Sequence, residues 1–357
     1  MTVQRNPAAS NAAGRQAAGG ILMSQLEQIN SDLFIVVEDV IRNPVHVKCE
    51  GLNVAGSIKL KPAVRMIEDL KRSGSLTSDS ILVESSSGNL GVAVSMIAAT
   101  NGYRFICVTD PNTTLSSLNI MRAMGTEVIV VTDKDANQGY LGTRIALIKS
   151  MCARDPRMIW INQYANEGNW RAHYDTTAPE ILRRFPEVDW LFVGAGTTGT
   201  LMGCARYFRQ ASPATRIVAV DAEGSVTFGA AAAPRLIPGL GTSSRPPILD
   251  ARLISDVVQV SETETIAMCR ALARRGLLLG GSTGTVMAGI VHFADRIAEA
   301  DTVVTISPDL GANYLDTIFD DDWVARHFPG FFDERRTPSR SDELHLGRKL
   351  IERREPV

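Results

Sequence analysis

The feature that most constrains this chain is a regular alternation of short apolar segments with amphipathic ones from residue 81 onward. Ile81–Val83 and Phe105–Val108 are continuously apolar, whereas Leu141–Met151 has apolar residues at helical spacing. The alternation returns later, from Trp190–Val193 to Val303–Ile306. Continuous apolar strands that alternate with helices are typical of a parallel sheet covered on both faces. The sequence therefore predicts an α/β fold with two three-layer domains and mostly parallel sheets.

The predicted domains are discontinuous in sequence. Residues 21–55 together with 170–333 are expected to form the larger α/β domain, and residues 56–169 a smaller, mobile one. Residues 1–20 have few large apolar side chains, so we expect a disordered tail. The charged residues 334–357 are expected to form a second tail.

Composition excludes several classes of function. The chain has 357 residues, 21% of them charged, with a formal net charge of −2, so neither nucleic acid nor an anionic membrane is an expected partner. No apolar run approaches the roughly 20 residues of a membrane span. The five cysteines include no Cys-x-x-Cys pair, which favours buried thiols in a reducing cytoplasm over a metal or redox site.

One lysine stands in an unusual setting. The segment Asn53–Lys59 follows a predicted strand and places Lys59 just before the predicted helix Ala63–Arg72. A lysine held at a helix start among small neutral residues experiences positive potential. A deprotonated lysine can form a Schiff base with an aldehyde cofactor, in which case Lys59 would be the catalytic residue.

The loop at residues 196–200 has the character of an anion site. It lies between a predicted strand and a predicted helix, and it consists of Gly196, Thr197, Thr198, Gly199 and Thr200. Glycines let the backbone approach a phosphate, and a helix start favours an anion. A dinucleotide site fits this loop almost equally well, because Gly194 begins a G-x-G-x-x-G spacing and Asp221 follows within the expected range.

Two further polar loops also precede predicted helices. Ser85, Ser86 and Ser87 offer three hydroxyls for a carboxylate, and Asn89 is placed to bond a ring hydroxyl. In the third loop, residues 280–284, Ser282 could donate to a weakly basic ring nitrogen, although alone it is more typical of a helix cap.

The lysine turn and the three loops, in this order, resemble the cysteine synthase family of fold-type II enzymes, which share the tryptophan synthase β-like fold and depend on pyridoxal 5'-phosphate (PLP). The resemblance covers about residues 30–320. Four segments resemble the branch that makes N-(2-amino-2-carboxyethyl)-L-glutamate, a precursor of 2,3-diaminopropionate. They are residues 84–91, 139–144, 162–166 and 220–225.

The resemblance implies a role for each site residue. Lys59 would hold PLP and move protons at Cα, Asn89 would bond the ring hydroxyl, and residues 196–200 would bind the phosphate. Ser282 would face the pyridine nitrogen, which is typical of β-elimination and β-replacement. The substrate carboxylate would be held by the serine loop and Gln163. The family also implies a homodimer.

The substrate expectation is specific. The branch would join O-phospho-L-serine to L-glutamate and release phosphate, for siderophore or peptide-antibiotic biosynthesis. Anionic substrates require cationic walls, and we favour Arg245, in the irregular stretch 229–250, over Arg171, His173 and Arg235. Leu90 stands where sulfhydrylases usually have threonine, which argues against plain cysteine synthesis.

Two departures from the family pattern keep alternatives open. The usual Gly-Asn-Thr-Pro-Leu is here Ile29–Leu33, and Leu60-Lys61 replaces the common Asp-Arg after the lysine. The alternatives are a cysteine synthase that uses O-acetylserine or O-phosphoserine and a non-catalytic regulatory paralogue. A nicotinamide oxidoreductase is more distant.

Overall fold

The computed structural model describes residues 32–333, so both predicted tails lie outside the described residues. The strands are β1 Phe34–Val37, β2 Val45–Cys49, β3 Ile81–Ser85, β4 Arg104–Thr109, β5 Glu127–Val130, β6 Met158–Trp160, β7 Trp190–Gly194, β8 Arg216–Ala222, β9 Asp256–Val260 and β10 Val303–Ser307. The helices are α1 Leu60–Arg72, α2 Asn89–Asn101, α3 Leu115–Ala123, α4 Leu141–Arg154, α5 Glu167–Asp175, α6 Thr177–Arg184, α7 Gly199–Ala211, α8 Glu262–Arg274, α9 Gly281–Val291 and α10 Asp321–His327.

The strands form two sheets, which confirms the predicted fold class. One has six strands in the order β1-β2-β10-β7-β8-β9, and the other has four in the order β5-β4-β3-β6. Within these sheets only β1 pairs antiparallel, with β2. The four-stranded sheet comprises strands from residues 81–160, inside the predicted smaller domain. The domain boundaries themselves remain a prediction.

Helices cover both faces of each sheet, as buried parallel strands require. On the six-stranded sheet, residues of α8 and α9 pack against Val218 and Val220, while α6 and α7 pack against Ile217 and Ala219 on the other face. On the four-stranded sheet, α1 and α2 cover one face and α4 covers the other. This alternation of sides along each strand follows from the two-residue period of β-structure.

Two local predictions were wrong. The apolar run Leu277–Leu279 reads as a strand in the sequence, but it is not one, and only Leu279 forms an isolated bridge, with Leu310. The segment Val286–Ala298 reads as a helix in the sequence, but the helix begins at Gly281 and ends at Val291. Glycine has low helix propensity, but here it allows close packing, since a Cβ at Gly284 would lie 2.8 Å from the carbonyl oxygen of Thr265 on α8.

The parallel topology gathers the predicted loops at one edge of the sheets. The lysine turn follows β2, the serine loop begins at the end of β3, and the loop at residues 196–200 follows β7. Gln163 follows β6, and Asp309 follows β10. Carboxyl ends of parallel strands are the usual ligand position in such sheets.

Candidate active site

A cavity of about 160 Å³ opens between the two sheets. Seven of the predicted site residues line the cavity: Lys59, Ser86, Ser87, Asn89, Gln163, Gly196 and Thr197. An eighth, Ser282, lies directly behind Gly239, which is part of the cavity wall. Thr198, Gly199 and Thr200 continue the glycine-threonine loop into α7 without lining the cavity. Ser85 is buried beneath the wall. The structure therefore brings together residues from five separate segments.

Lys59 is the residue directly before α1, as the sequence predicted. Burial lowers the pKa of Lys59 from 10.5 to about 8, while the charge of the nearby Asp309 carboxylate acts in the opposite direction. Desolvation penalises the ammonium form, so the neutral amine is easier to reach than in a surface lysine. A neutral amine is the form that attacks an aldehyde.

This lowered pKa predicts the pH dependence of cofactor attachment. When PLP is added to cofactor-free protein, the rate at which the visible band appears should rise with pH, with a midpoint near the pKa of about 8. At pH 7 the neutral fraction of such an amine exceeds that of an ordinary lysine by about 300-fold. The comparison is an N-acetylated lysine amide in solution. A midpoint for the protein as high as that of the free amine would contradict the prediction.

The glycine-threonine loop has the properties of a phosphate cradle. A Cβ at Gly196 would come 2.5 Å from the carbonyl oxygen of Gly239, so only glycine fits there. Thr198 adopts a left-handed conformation (φ 66°) directly before α7. Its hydroxyl is buried and has no hydrogen-bond partner among the described residues. An unsatisfied buried donor at a helix N-terminus fits an anionic phosphate group.

Side chains of α5 hold this loop from behind. Asn169 donates to the Thr197 hydroxyl at 3.0 Å and to the Gln163 carbonyl at 2.6 Å, which links the glycine-threonine loop to the segment after β6. His173 Nε2 lies 3.2 Å from the Thr200 hydroxyl. Burial lowers the pKa of His173 well below its usual value, so the ring is neutral and does not supply a cation to the substrate.

The serine loop is anchored by a buried carboxyl group that sequence reasoning did not single out, and burial raises the pKa of this group, Glu84, to about 8. Buried Glu84 accepts the backbone N–H of Ser85 at 2.8 Å and that of Gln163 at 3.3 Å. The Ser86 hydroxyl accepts from Gly91 at 2.9 Å, at the start of α2, while Gln163 Nε2 donates to the Ser85 carbonyl at 2.7 Å. These bonds fix the loop that is expected to hold a substrate carboxylate.

The unusual Leu60-Lys61 pair has a structural explanation. Leu60 is fully buried in the core, and Lys61 belongs to a buried cluster of two lysines and two glutamates. Lys61 Nζ lies 2.8 Å from Glu50 and 3.0 Å from Glu180, and Lys48 Nζ lies 3.2 Å and 2.9 Å from the same two carboxylates. Paired charges of this kind are tolerated in an interior because each ion has opposite partners. The departure from the family pattern therefore leaves the lysine turn at Asn53–Lys59 intact.

The arginines differ from the sequence-based expectation. Arg245 is exposed and does not line the cavity, and Arg171 is exposed and paired with Glu167. Arg235 lines the cavity, as does Arg144 of α4, which was not among the candidates. Within residues 32–333 the structure thus supports Arg144 and Arg235, rather than Arg245, as the cationic groups of the site.

Arg144 is held in an unusual state. It is buried, and its Nη1 lies 3.4 Å from Asp110 Oδ2. Neither Nε nor Nη1 has a hydrogen-bond partner among the described residues. Buried guanidinium donors without partners are costly unless a ligand satisfies them. A branch segment at residues 139–144 ends on this residue, but helical periodicity alone does not show which side of α4 meets the cavity.

These residues fit PLP. The dinucleotide alternative fits less well, because the cavity joins one amine, an anion cradle and an amide at Asn89, and Asp221 does not line it. The profile of pyridoxal-phosphate dependent enzymes matches residues 36–309. It spans the lysine turn and all three polar loops.

Three known proteins that resemble this chain are all synthases. The chain is 42% identical over 284 residues to an N-(2-amino-2-carboxyethyl)-L-glutamate synthase of Ralstonia nicotianae, covering 79% of this chain and 84% of that protein. The O-acetylserine dependent cystathionine beta-synthase of Helicobacter pylori superposes with a TM-score of 0.77 at 28% identity, covering 84% and 98% of the two chains. An O-ureido-L-serine synthase gives a TM-score of 0.77 at 29% identity, covering 91% and 100%.

Proposed function

Because this chain belongs to the family of pyridoxal-phosphate dependent enzymes, we propose that it joins O-phospho-L-serine to L-glutamate and releases phosphate. The product would be N-(2-amino-2-carboxyethyl)-L-glutamate. The cofactor is PLP, and Lys59 is the residue proposed to hold it. The observation that carries the choice of a phosphorylated donor is Arg144, a buried cation on the cavity wall with unsatisfied hydrogen-bond donors.

Different residues of the cavity would carry out different steps of a β-replacement. PLP, when bound, supplies the electron sink for charge that develops at Cα. The serine loop and Gln163 would hold the carboxylate of the amino-acid donor. The Lys59 amine would take the Cα proton and return it at the end. The Cβ–O bond to phosphate breaks, and a bond from Cβ to the glutamate nitrogen forms with loss of an amine proton.

Two guanidiniums match two anionic groups. Arg144 would contact the phosphate of the donor, since guanidinium suits phosphate geometry. Arg235 would contact the side-chain carboxylate of glutamate. Its Nη1 already donates to the carbonyl oxygen of Gly224, which fixes the side chain on the irregular loop. Its backbone carbonyl accepts from Asn112 at 3.0 Å, so this wall connects to the loop after β4.

Leu90 supports the same choice of reaction. It is buried and lines the cavity, at the position where sulfhydrylases usually have threonine. A leucine removes a hydroxyl from the substrate loop and presents an apolar surface instead. The setting is also part of the proposal: a cytoplasmic homodimer that supplies 2,3-diaminopropionate for a siderophore or a peptide antibiotic. These last statements rest on the resemblance to the branch.

The coupling reaction can be tested with purified, PLP-loaded protein. With O-phospho-L-serine and ¹⁵N-labelled L-glutamate, we expect one phosphate released per coupled amino acid, with the label retained in the product by mass spectrometry. L-Glutamine, which lacks the side-chain charge, should couple at least about tenfold more slowly, since a charged hydrogen bond contributes about 1.5–3 kcal/mol.

Three outcomes would contradict the proposal. Use of sulfide without use of glutamate would identify a sulfhydrylase. Turnover of O-acetyl-L-serine in preference to O-phospho-L-serine would remove the role of Arg144. A protein that binds PLP but turns over neither donor would support the regulatory alternative.

A further inference from the structure

Asp309 occupies a central position that the proposed mechanism does not use. It follows β10, and its backbone forms a bridge with Ser57 of the lysine turn. Its carbonyl oxygen accepts from Gly280 at 3.1 Å, next to the loop that carries Ser282. The side chain is buried, 1% exposed. The backbone of Asp309 therefore contacts the segments that carry Lys59 and Ser282. Its side chain contacts a third segment.

The third segment is the start of α2. Asp309 Oδ2 accepts from Asn89 Nδ2 at 2.8 Å and from the Tyr314 hydroxyl at 2.6 Å. Oδ1 has no hydrogen-bond partner among residues 32–333. It faces Gly280, where an added Cβ would overlap with it. The carboxylate is thus confined on one side by backbone and on the other by two donors.

The chemistry of this contact fixes the orientation of Asn89. The Oδ2 atom of Asp309 accepts both hydrogen bonds, whereas an amide has a donor end and an acceptor end. Burial raises the pKa of Asp309, but a proton on Oδ1 would still leave Oδ2 as an acceptor. Asn89 must therefore turn its nitrogen, and not its oxygen, toward Asp309. That nitrogen has two N–H groups, and one remains for a further acceptor. Asn89 also lines the cavity.

We propose that Asp309 is a positioning residue, which fixes the Asn89 amide so that its second N–H serves the ring hydroxyl oxygen of PLP. Without this contact the amide can rotate by half a turn and present its oxygen to another oxygen. The consequence is a weaker cofactor complex and an altered visible band. The role is independent of which donor and acceptor the enzyme uses, so it does not rest on the coupling reaction.

The test is the variant Asp309→Asn, which keeps the shape but can donate as well as accept. We expect its dissociation constant for PLP to rise about tenfold, the size of a lost charge-assisted hydrogen bond, and its visible band to shift. Tyr314→Phe is the matched control, because it removes the other bond to Oδ2 and leaves the Asn89 contact. The control should raise the dissociation constant by less than about threefold.

A double-mutant cycle separates positioning from other effects. In the Asn89→Ala background, Asp309→Asn should have no further effect on PLP affinity. An undiminished effect there would overturn the proposal and indicate direct action on Lys59 or on folding. Unchanged affinity and an unchanged band in Asp309→Asn alone would overturn it as well. Thermal unfolding of each cofactor-free variant monitors the fold.

The exchange variant Asn89→Asp/Asp309→Asn covers the case in which Asp309→Asn does not fold. It restores the contact with donor and acceptor exchanged, so thermal stability should recover. PLP affinity should stay at least about tenfold below that of the wild type, because the group left for the ring hydroxyl is now an acceptor. Recovery of wild-type affinity would refute the positioning role.

Discussion

Replacing Lys59 with alanine is expected to abolish covalent cofactor binding and to reduce turnover by at least about 10³-fold. The side chain supplies both the amine that holds PLP and the base proposed for the Cα proton, and no other lysine lines the cavity among the described residues. Borohydride reduction of the wild type, followed by peptide mass spectrometry, should place the pyridoxyl adduct on Lys59. The variant should bind PLP without a reducible band.

The matched control is Lys71→Ala, in the last turn of the same helix. Lys71 is exposed and donates to the side chain of Asn101 at 2.8 Å, so its loss should leave the visible band unchanged. A reducible PLP adduct that persists in Lys59→Ala at another lysine would contradict the assignment. So would equal loss of the band in both variants.

The sequence predicted the fold class because the signals were local and redundant. Each buried parallel strand reads as an apolar run, and the loop chemistry is concentrated where those runs end. Lys59, Asn89, Gly196 and Thr197 line the cavity, and the sequence could single them out because glycine, hydroxyl and amide groups cluster before helices. The spacing of Ser261 and Glu264 predicts a capping box, and the structure confirms it; this signal too is local, since both hydrogen bonds lie within four residues.

The missed features depend on contacts that are distant in sequence. Arg144 is a lone arginine on an amphipathic helix, and its burial follows from Asp110 after β4. Asp309 gains its role from Asn89, which is 220 residues away. Such pairs leave no periodic signal. α5 was also missed, because the residues that it buries include Gly168, Asn169 and His173 rather than an apolar stripe.

Lys61 shows that a residue can differ from the family pattern without disturbing the site. In the sequence it stood two residues after Lys59 as an unexplained difference from the family pattern. In the structure it is neutralised by Glu50 and Glu180, away from the cavity wall. Arg245 shows the reverse, because an irregular loop near the site did not bring every one of its residues to the cavity. Nine residues between Ala233 and Ser243 of the same loop line the cavity, and Arg235 is among them.

Replacing Arg144 with glutamine is expected to reduce turnover of O-phospho-L-serine by about 10²-fold. Removing one partner of a desolvated charge contact costs about 2–5 kcal/mol, and 1.4 kcal/mol corresponds to tenfold. O-acetyl-L-serine carries no phosphate, so its elimination should change much less. The measurement is phosphate or acetate release in the absence of glutamate, which isolates the first half of the reaction from any effect on the amine acceptor.

Two controls make this result specific to Arg144. The double variant Arg144→Gln/Asp110→Asn removes the carboxylate that would otherwise be left buried without its cation, and it should recover stability but not phosphoserine turnover. Arg245→Gln tests the residue that the sequence favoured, and its exposed side chain predicts less than a threefold effect, as for surface charges in general. A larger loss in Arg245→Gln than in Arg144→Gln would show that the loop moves in the working enzyme and that the cavity wall does not select the phosphate. If Arg144→Gln reduced turnover of O-phospho-L-serine and O-acetyl-L-serine equally, the arginine would stabilise the structure of the site and would not recognise the phosphate leaving group.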